Sequence, residues 1–92
     1  MLFRSIGSSG NFAQIGSSGN FAQIYSTGEN TVIAAIGINS MAKAKKGSWI
    51  TLAEYDNRLK PVCVKTEYVD GEIIKEDMLY RLVNGQFKEV EE

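Results

Sequence analysis

Residues 10–27 read GNFAQIGSSGNFAQIYST, in which nearly the same nine residues occur twice in succession. The nine-residue frame holds without a gap over residues 1–45. The first position is glycine in units two to five, the sixth is isoleucine in the first four units, and the eighth is always serine or alanine. A short repeat of fixed period is typical of a solenoid, in which each unit buries its apolar side chains against neighbouring units.

Alternation within each unit predicts strands rather than helices. Successive side chains of a strand point to opposite faces, so positions four, six and eight face inward and positions three and five face outward. Glycine every nine residues, with Ser, Thr and Asn, penalises a helix, and we expect the glycines to turn the chain with positive φ. We predict an all-β fold, a short β-solenoid with two units per coil and about two and a half coils, which needs a cap or a second copy.

Residues 48–92 lack the repeat and predict a β-rich cap. The dipeptides Asp70-Gly71 and Asn84-Gly85 lie between β-rich runs, which is a signal for hairpins. We expect Trp49 to cover the last coil. The predicted strands lie near 50–55, 62–69, 72–75, 78–83 and 86–90 and form a small antiparallel meander. The chain is therefore predicted to be one structural unit, with a solenoid over 1–47 and a cap over 48–92.

Composition excludes several classes of protein. The 92 residues carry a net charge of −1, which gives no general attraction to nucleic acid or to an anionic membrane. No stretch has the apolar length of a secretory signal or a membrane span. The single cysteine, Cys63, cannot form an internal disulfide, and its alternating run with Val62 and Val64 predicts an inert thiol. We expect a cytoplasmic protein of a bacterial or phage-infected cell.

Catalysis and metal binding find little support in the sequence. The chain has no histidine, which is the commonest general base and metal ligand. A serine nucleophile would therefore lack its usual base. Calcium-binding β-rolls hold the ion with Asp residues in their glycine turns, whereas residues 1–45 contain no Asp and one acid, Glu29. We predict no enzymatic activity, no cofactor and no metal.

An outward column of phenylalanines predicts self-association. Phenylalanine at position three would leave apolar groups exposed, and exposed apolar patches on small proteins mark interfaces. The first unit would also leave an open strand edge. A homodimer is favoured and a trimer is the alternative. The residues predicted to take part are Leu2, Phe3, Phe12, Phe21 and Tyr25.

Charge is unevenly distributed along the chain. Residues 1–53 carry four bases against one acid, and residues 54–92 carry six bases against ten acids. The acidic C-terminal part is predicted to meet a basic protein partner. Its candidate residues are Glu67, Asp70, Glu72, Glu76 and Asp77. Lys43, Lys45 and Lys46 could form an anion patch, although lysines that protect a strand edge explain them as well.

Two segments resemble known families. GENTVIAAIGINSMAKAKKGSWITLAEYD, followed by PVCVKTEYVDGEIIKEDMLYRLVNGQF, resembles uncharacterised proteins of gut bacteria and their phages, which share glycine-started nonapeptides and a β-rich tail. That resemblance implies a capped β-solenoid without known catalytic residues, and this chain departs from it by having few repeats and Phe at often polar positions. NTVIAAIGINSMAKA also resembles the head repeats of trimeric adhesins, whose repeat unit is longer than nine residues.

These observations favour a non-enzymatic protein-interaction module that acts as a homo-oligomer. The phage origin implied by the resemblance makes an inhibitor of a host defence protein the specific form of this hypothesis. Two alternatives stay open: a trimeric fibre or adhesin head, and a nucleotide or other anion bound between subunits by the three lysines.

Overall fold

The computed structural model describes residues 4–8, 14–17 and 22–90, which form nine strands and no helix. The predicted all-β class is therefore confirmed. The strands are β1 (Arg4–Ser8), β2 (Gln14–Ser17), β3 (Ala22–Ser26), β4 (Val32–Ala35), β5 (Met41–Lys43), β6 (Trp49–Tyr55), β7 (Pro61–Tyr68), β8 (Leu79–Val83) and β9 (Gln86–Val90). They form a five-stranded sheet in the order β1-β3-β5-β8-β9 and a four-stranded sheet in the order β2-β4-β6-β7.

Successive strands of the repeat enter the two sheets in turn. β1, β3 and β5 pair in parallel in the five-stranded sheet, and β2, β4 and β6 pair in parallel in the four-stranded sheet. Ala22 lies opposite Arg4 and Val32 opposite Gln14, a shift of two nine-residue units. Trp49 lies opposite Val32, one residue short of that shift. The frame that ends at Lys45 is thus followed by one more strand of the same ladder.

Burial follows the alternation that the sequence predicted. From β3 to β5 the side chains at positions four, six and eight are almost completely buried between the sheets. These residues are Ala22, Ile24, Ser26, Thr31, Ile33, Ala35, Ser40, Ala42 and Ala44. Large side chains from the C-terminal strands, among them Ile50, Leu52, Tyr80 and Leu82, belong to the same core cluster. The repeats and the C-terminal strands therefore share one core.

Buried hydroxyl groups line one corner of this core. The Thr31 Oγ1 atom lies 3.3 Å from Ser26 Oγ and 3.0 Å from Ser48 Oγ, and the Thr31 amide donates to Ser48 Oγ at 3.1 Å. All three residues are buried. Each hydroxyl thus has a partner where water is excluded, which removes the cost of burying it.

The predicted role of the repeat glycines is wrong where the structure describes them. Gly28 and Gly37 are buried but do not adopt positive φ. The left-handed residues of these turns are Asn30 (φ 55°) and Asn39 (φ 54°), at position three of their units. Asparagine tolerates this conformation better than most residues because its short side chain can form local hydrogen bonds.

The predicted single meander is also wrong, because the C-terminal strands divide between the two sheets. β7 pairs antiparallel with β6, whereas β8 pairs antiparallel with β5 and β9 with β8. Residues 72–75 are not a strand but part of the connection that crosses from one sheet to the other. The hairpin predicted at Asp70-Gly71 is therefore absent, and the hairpin at Asn84-Gly85 is confirmed (φ 52° and 75°).

A polar contact of Glu54 and the position of Trp49 bear on the surfaces described below. The carboxylate of Glu54 in β6 accepts hydrogen bonds from the Asn84 and Gly85 amides at 2.7 and 2.9 Å, which links the β8–β9 turn to the other sheet. Trp49 does not cover the end of the stack as predicted. It lies on the outer face of the four-stranded sheet, while Ile50 beside it enters the core.

Candidate functional site

The four-stranded sheet keeps its charged side chains on its inner face. The sequences of β2, β4, β6 and β7 contain three charged residues, Glu54, Lys65 and Glu67. Lys65 lies opposite the buried Leu52, and Glu67 lies opposite the buried Ile50, so both point to the inner side. Glu54 reaches the turn of the other sheet. The outer face of the described strands of this sheet therefore carries no charge.

Large apolar side chains are exposed on that outer face. Val32, Trp49 and Tyr68 occupy one row across three adjacent strands and are 50%, 48% and 42% exposed. Val64 of β7 lies on the same side and is 60% exposed. β6 and β7 pair antiparallel, and an antiparallel pair with one face in water ordinarily presents polar side chains there. We call the row of Val32, Trp49 and Tyr68, together with Val64, the apolar face.

Contacts between neighbouring strands hold the apolar face in place. The rings of Trp49 and Tyr68 pack at an angle with centroids 4.9 Å apart. In the next row the hydroxyl oxygens of Thr51 and Thr66 lie 2.8 Å apart. A shallow groove of about 310 Å³ extends the face to β2, where Gly16 has no side chain. The groove is lined by Ile15, Gly16, Val32 and Ala34.

The outer face of the five-stranded sheet differs in charge. Lys43 lies beside Tyr25, with its ammonium 5.0 Å from the centre of the ring. Arg81 and Lys88 are opposite each other on β8 and β9 and are both exposed. Among the described strands, the acid of this sheet is Glu89, which lies opposite the buried Tyr80 and pairs with Lys75 at 3.4 Å. The two outer faces of the molecule are thus apolar and basic.

The five acids predicted to bind a partner do not form one free cluster. The Asp70 carboxylate accepts the amides of Glu72, Ile73 and Ile74 at 2.8, 2.9 and 3.2 Å. Those backbone bonds, first the one from Glu72, hold the pKa of Asp70 below its ordinary value of 3.8, although desolvation acts in the opposite direction. Three of the five acids thus have partners within the same chain. Besides Asp70, these are Asp77, which pairs with Lys45 (2.7 Å), and Glu67, which pairs with Lys65 (3.4 Å).

The three candidate anion-binding lysines have different neighbours. Lys43 contacts the Tyr25 ring, and Lys45 pairs with Asp77, whose hydrogen bond is the main reason that the pKa of Lys45 is raised. Lys46 is exposed and lies beside Gly71. The structure therefore provides separate local environments for these charges rather than a shared pocket.

The residues predicted for self-association lie mostly outside the described ranges, which exclude Leu2, Phe3, Phe12 and Phe21. Tyr25 is half-buried, and its hydroxyl donates to the Gln23 side chain at 2.8 Å. Cys63 is a free, partly buried thiol packed against the core.

Over the described ranges, no group of three or more acids or cysteines is placed to hold a metal ion. Within the same part of the chain, no helix has the length and apolar character needed to cross a membrane. No family model matches the sequence, and neither a curated protein nor a solved structure gives a significant match. The resemblances noted from the sequence therefore stay predictions.

Sequence reasoning missed the apolar face. The alternation of Trp49 and Thr51 with Ile50 and Leu52 places the two pairs on opposite sides of β6, with Ile50 and Leu52 buried. It did not indicate which side stays uncovered. The available signal was the run from Val62 to Tyr68, where apolar residues and Thr66 alternate with Cys63, Lys65 and Glu67.

Proposed function

We propose that this protein is a non-enzymatic protein-binding module of the cytoplasm, and that the apolar face is its binding surface. The proposed scaffold is a short β-solenoid, in which each coil contributes one strand to each sheet and the two C-terminal hairpins close one end. The two-unit shift between paired strands supports this scaffold, since it is the pairing that two nine-residue units per coil would produce.

The observation that carries the proposal is the inverted placement of charge on the four-stranded sheet. Its three charged side chains occupy the inner face, and its exposed face presents Trp49, Tyr68 and two valines. Contiguous exposed apolar groups on a small protein mark interaction sites. Interface cores are depleted in charge and enriched in tryptophan and tyrosine. The expected partner therefore offers a flat, largely uncharged apolar surface.

Site-specific photo-crosslinking tests the surface before the partner is known. A photoreactive amino acid replaces Val64, which is exposed on the apolar face, or Lys88, which is exposed on the basic face. Each protein is irradiated in cells, and the adducts are identified by mass spectrometry. We expect a defined adduct from position 64 and none, or only a diffuse background, from position 88.

The identified partner is then purified and titrated against the protein, with the fluorescence of Trp49 as the reporter, since the chain has one tryptophan. We expect its emission to shift to the blue on binding, and Val64→Glu to weaken binding while Lys88→Glu leaves it within a few-fold. Equal cross-linking from both positions, or a Val64→Glu variant that binds normally, would overturn the proposal. A partner that cross-links from position 88 alone would instead favour the basic face.

The acidic residues of the 67–77 segment stay a prediction for a second contact with a basic partner. The inhibitor role stays a prediction that rests on the sequence resemblance.

A further inference from the structure

Within the part of the chain that the structure describes, the first two strands are the edges of their sheets at the same end of the molecule. β1 is the outermost strand of the five-stranded sheet, and β2 is the outermost strand of the four-stranded sheet. Among the described residues, each is paired on one side, with β3 and β4 respectively. Backbone N–H and C=O groups on the outer side of an edge strand are available to another strand.

The other two edges carry the features that block strand addition. β7 begins with Pro61 and contains Lys65 and Glu67, and its ladder with β6 is irregular at Glu54 and Tyr55. β9 contains Lys88 and Glu89. Proline, charged side chains and bulges are the usual means by which proteins protect sheet edges. The edges at the C-terminal end are therefore protected.

The N-terminal edges lack such protection. Residues 5–28 contain no charged residue and no proline, so β2 has neither and β1 has a single charge, Arg4, at its start. With charge confined to Arg4 at the start of β1, no proline or run of charged side chains hinders pairing along these two strands. Because the C-terminal edges are protected and the N-terminal edges are not, another chain can add to the sheets at β1 and β2.

We propose that two copies of this chain associate head to head through β1 and β2. A single extended peptide could cover one of these edges, whereas two edges in sheets packed roughly 10 Å apart require a partner with two strands at the same spacing. A second copy of the chain has the same two edge strands at the same spacing. A two-fold axis perpendicular to the direction of strand stacking makes each new pair antiparallel, and the contact is then closed and self-complementary.

The edges of β1 and β2 form this interface, whereas the apolar face lies on the side of the four-stranded sheet and reaches β2 through the groove beside Gly16. Head-to-head pairing extends both sheets and places two apolar faces on one dimer. Two linked faces would bind a multivalent partner more tightly than one. A result that contradicts one of the two proposals therefore leaves the other unaffected.

A pair of lysine substitutions separates the edge from the face. Gly16, Ala34, Thr51 and Thr66 form one row across the outer side of the four-stranded sheet, with Gly16 on β2 and Thr66 on β7. A Cβ at Gly16 meets no atom within 4 Å, and Gly16 does not have positive φ, so Gly16→Lys should fold. Thr66→Lys adds the same charge to the same row at the opposite, protected edge.

The measurement is native mass by light scattering over a range of protein concentrations. We expect a dimer for the natural chain and for Thr66→Lys. For Gly16→Lys we expect the dissociation constant of the dimer to rise on the order of tenfold, because a lysine on an edge strand opposes strand pairing. A monomer at all concentrations overturns the proposal, and so does a trimer. Loss of the dimer in both variants overturns it as well, since that result places the contact on the apolar face.

Hydrogen exchange of the natural chain gives a second test that needs no substitution. Outward amides of an edge strand exchange quickly, and pairing protects them. We expect the amides of residues 4–8 and 14–17 to exchange more slowly at protein concentrations where the dimer forms. Protection that does not change with concentration, in a protein that does dimerise, contradicts the edge contact.

Discussion

At the scale of single residues, the buried hydroxyl groups at the corner of the core are the most sensitive polar contacts. Thr31 Oγ1 bridges Ser26 and Ser48, and none of the three is solvent-exposed. Removing one hydroxyl leaves its partners buried with fewer hydrogen bonds. The penalty for such an unsatisfied buried group exceeds the net stability that one hydrogen bond contributes.

Thr31→Val should therefore destabilise the protein although it preserves side-chain shape. We expect the free energy of unfolding to fall by about 1–3 kcal/mol. Thr51→Val is the matched control, since the Thr51 hydroxyl pairs with Thr66 on the outer face, where water can replace it. Urea unfolding followed by circular dichroism measures both variants. Equal losses of unfolding free energy in the two variants would mean that the buried hydroxyl of Thr31 matters no more for stability than the exposed hydroxyl of Thr51.

Asp70 links a single carboxylate to the pH dependence of stability. Its native pKa lies below the ordinary 3.8 because the Glu72 amide, and then those of Ile74 and Ile73, bind the charged form. The native state thus gains stability from the ionised group above pH 3.8, and this gain is lost as the pH falls through the native pKa.

Asp70→Asn should remove that contribution while keeping an oxygen acceptor. We expect the difference in unfolding free energy between the natural chain and the variant to be constant near neutral pH and to shrink below about pH 4. Urea titrations between roughly pH 2.5 and 7 measure it. Glu72→Gln removes a charge from the same loop without changing these hydrogen bonds. A difference for Asp70→Asn that persists undiminished at the lowest pH contradicts the assignment.

At the scale of strands and turns, the two turn dipeptides have different outcomes for a physical reason. Asn84-Gly85 forms a two-residue loop because both residues are left-handed and Val83 pairs with Gln86. At the other dipeptide Gly71 has positive φ (85°) but Asp70 does not, and the Asp70 carboxylate organises a wider connection between sheets. Local turn chemistry indicates where the chain bends, but not which sheet receives the next strand.

The same distinction explains what the sequence could predict about the elements and the candidate site. Period-two alternation within the repeats identified the buried positions from Ala22 to Ala44, because small and apolar residues recur on one side of each strand. The pairing of β8 with β5 joins residues almost forty positions apart, as Ala42 and Tyr80 show, and no local pattern specifies it. Whether Trp49 and Val64 are covered depends on that same non-local arrangement.

Gly85→Ala tests the hairpin turn directly. The nearest atom to an added Cβ is Cys63 Sγ at 4.0 Å, so the cost is conformational rather than steric, and φ is +75°. We expect a loss of about 1–2 kcal/mol from placing a Cβ in the left-handed region. Gly16→Ala, where φ is not positive and nothing lies within 4 Å, should be neutral or slightly stabilising. Thermal unfolding of both variants measures this difference. A Gly85→Ala variant as stable as Gly16→Ala would contradict the left-handed conformation assigned to Gly85.

At the scale of the whole molecule, the two sheets share one core and have chemically different outer faces. The core cluster combines side chains of the repeats, such as Ile24 and Ile33, with side chains of the C-terminal strands, such as Leu52, Tyr80 and Leu82. Glu54 adds a polar link between β6 and the β8–β9 turn. A core that crosses both sheets predicts that they unfold together.

Leu82→Ala tests this cooperativity, because Leu82 lies in the five-stranded sheet whereas Trp49 reports on the four-stranded sheet. Leu82 is 6% exposed, so its truncation should cost about 2–5 kcal/mol. Leu59→Ala, at a residue that is 63% exposed, should change stability by less than about 0.5 kcal/mol. We expect the circular dichroism and Trp49 fluorescence transitions to coincide and to shift equally in Leu82→Ala. A Trp49 transition that stays in place while the dichroism shifts would show that the sheets unfold separately, and the apolar face would then belong to an independent unit.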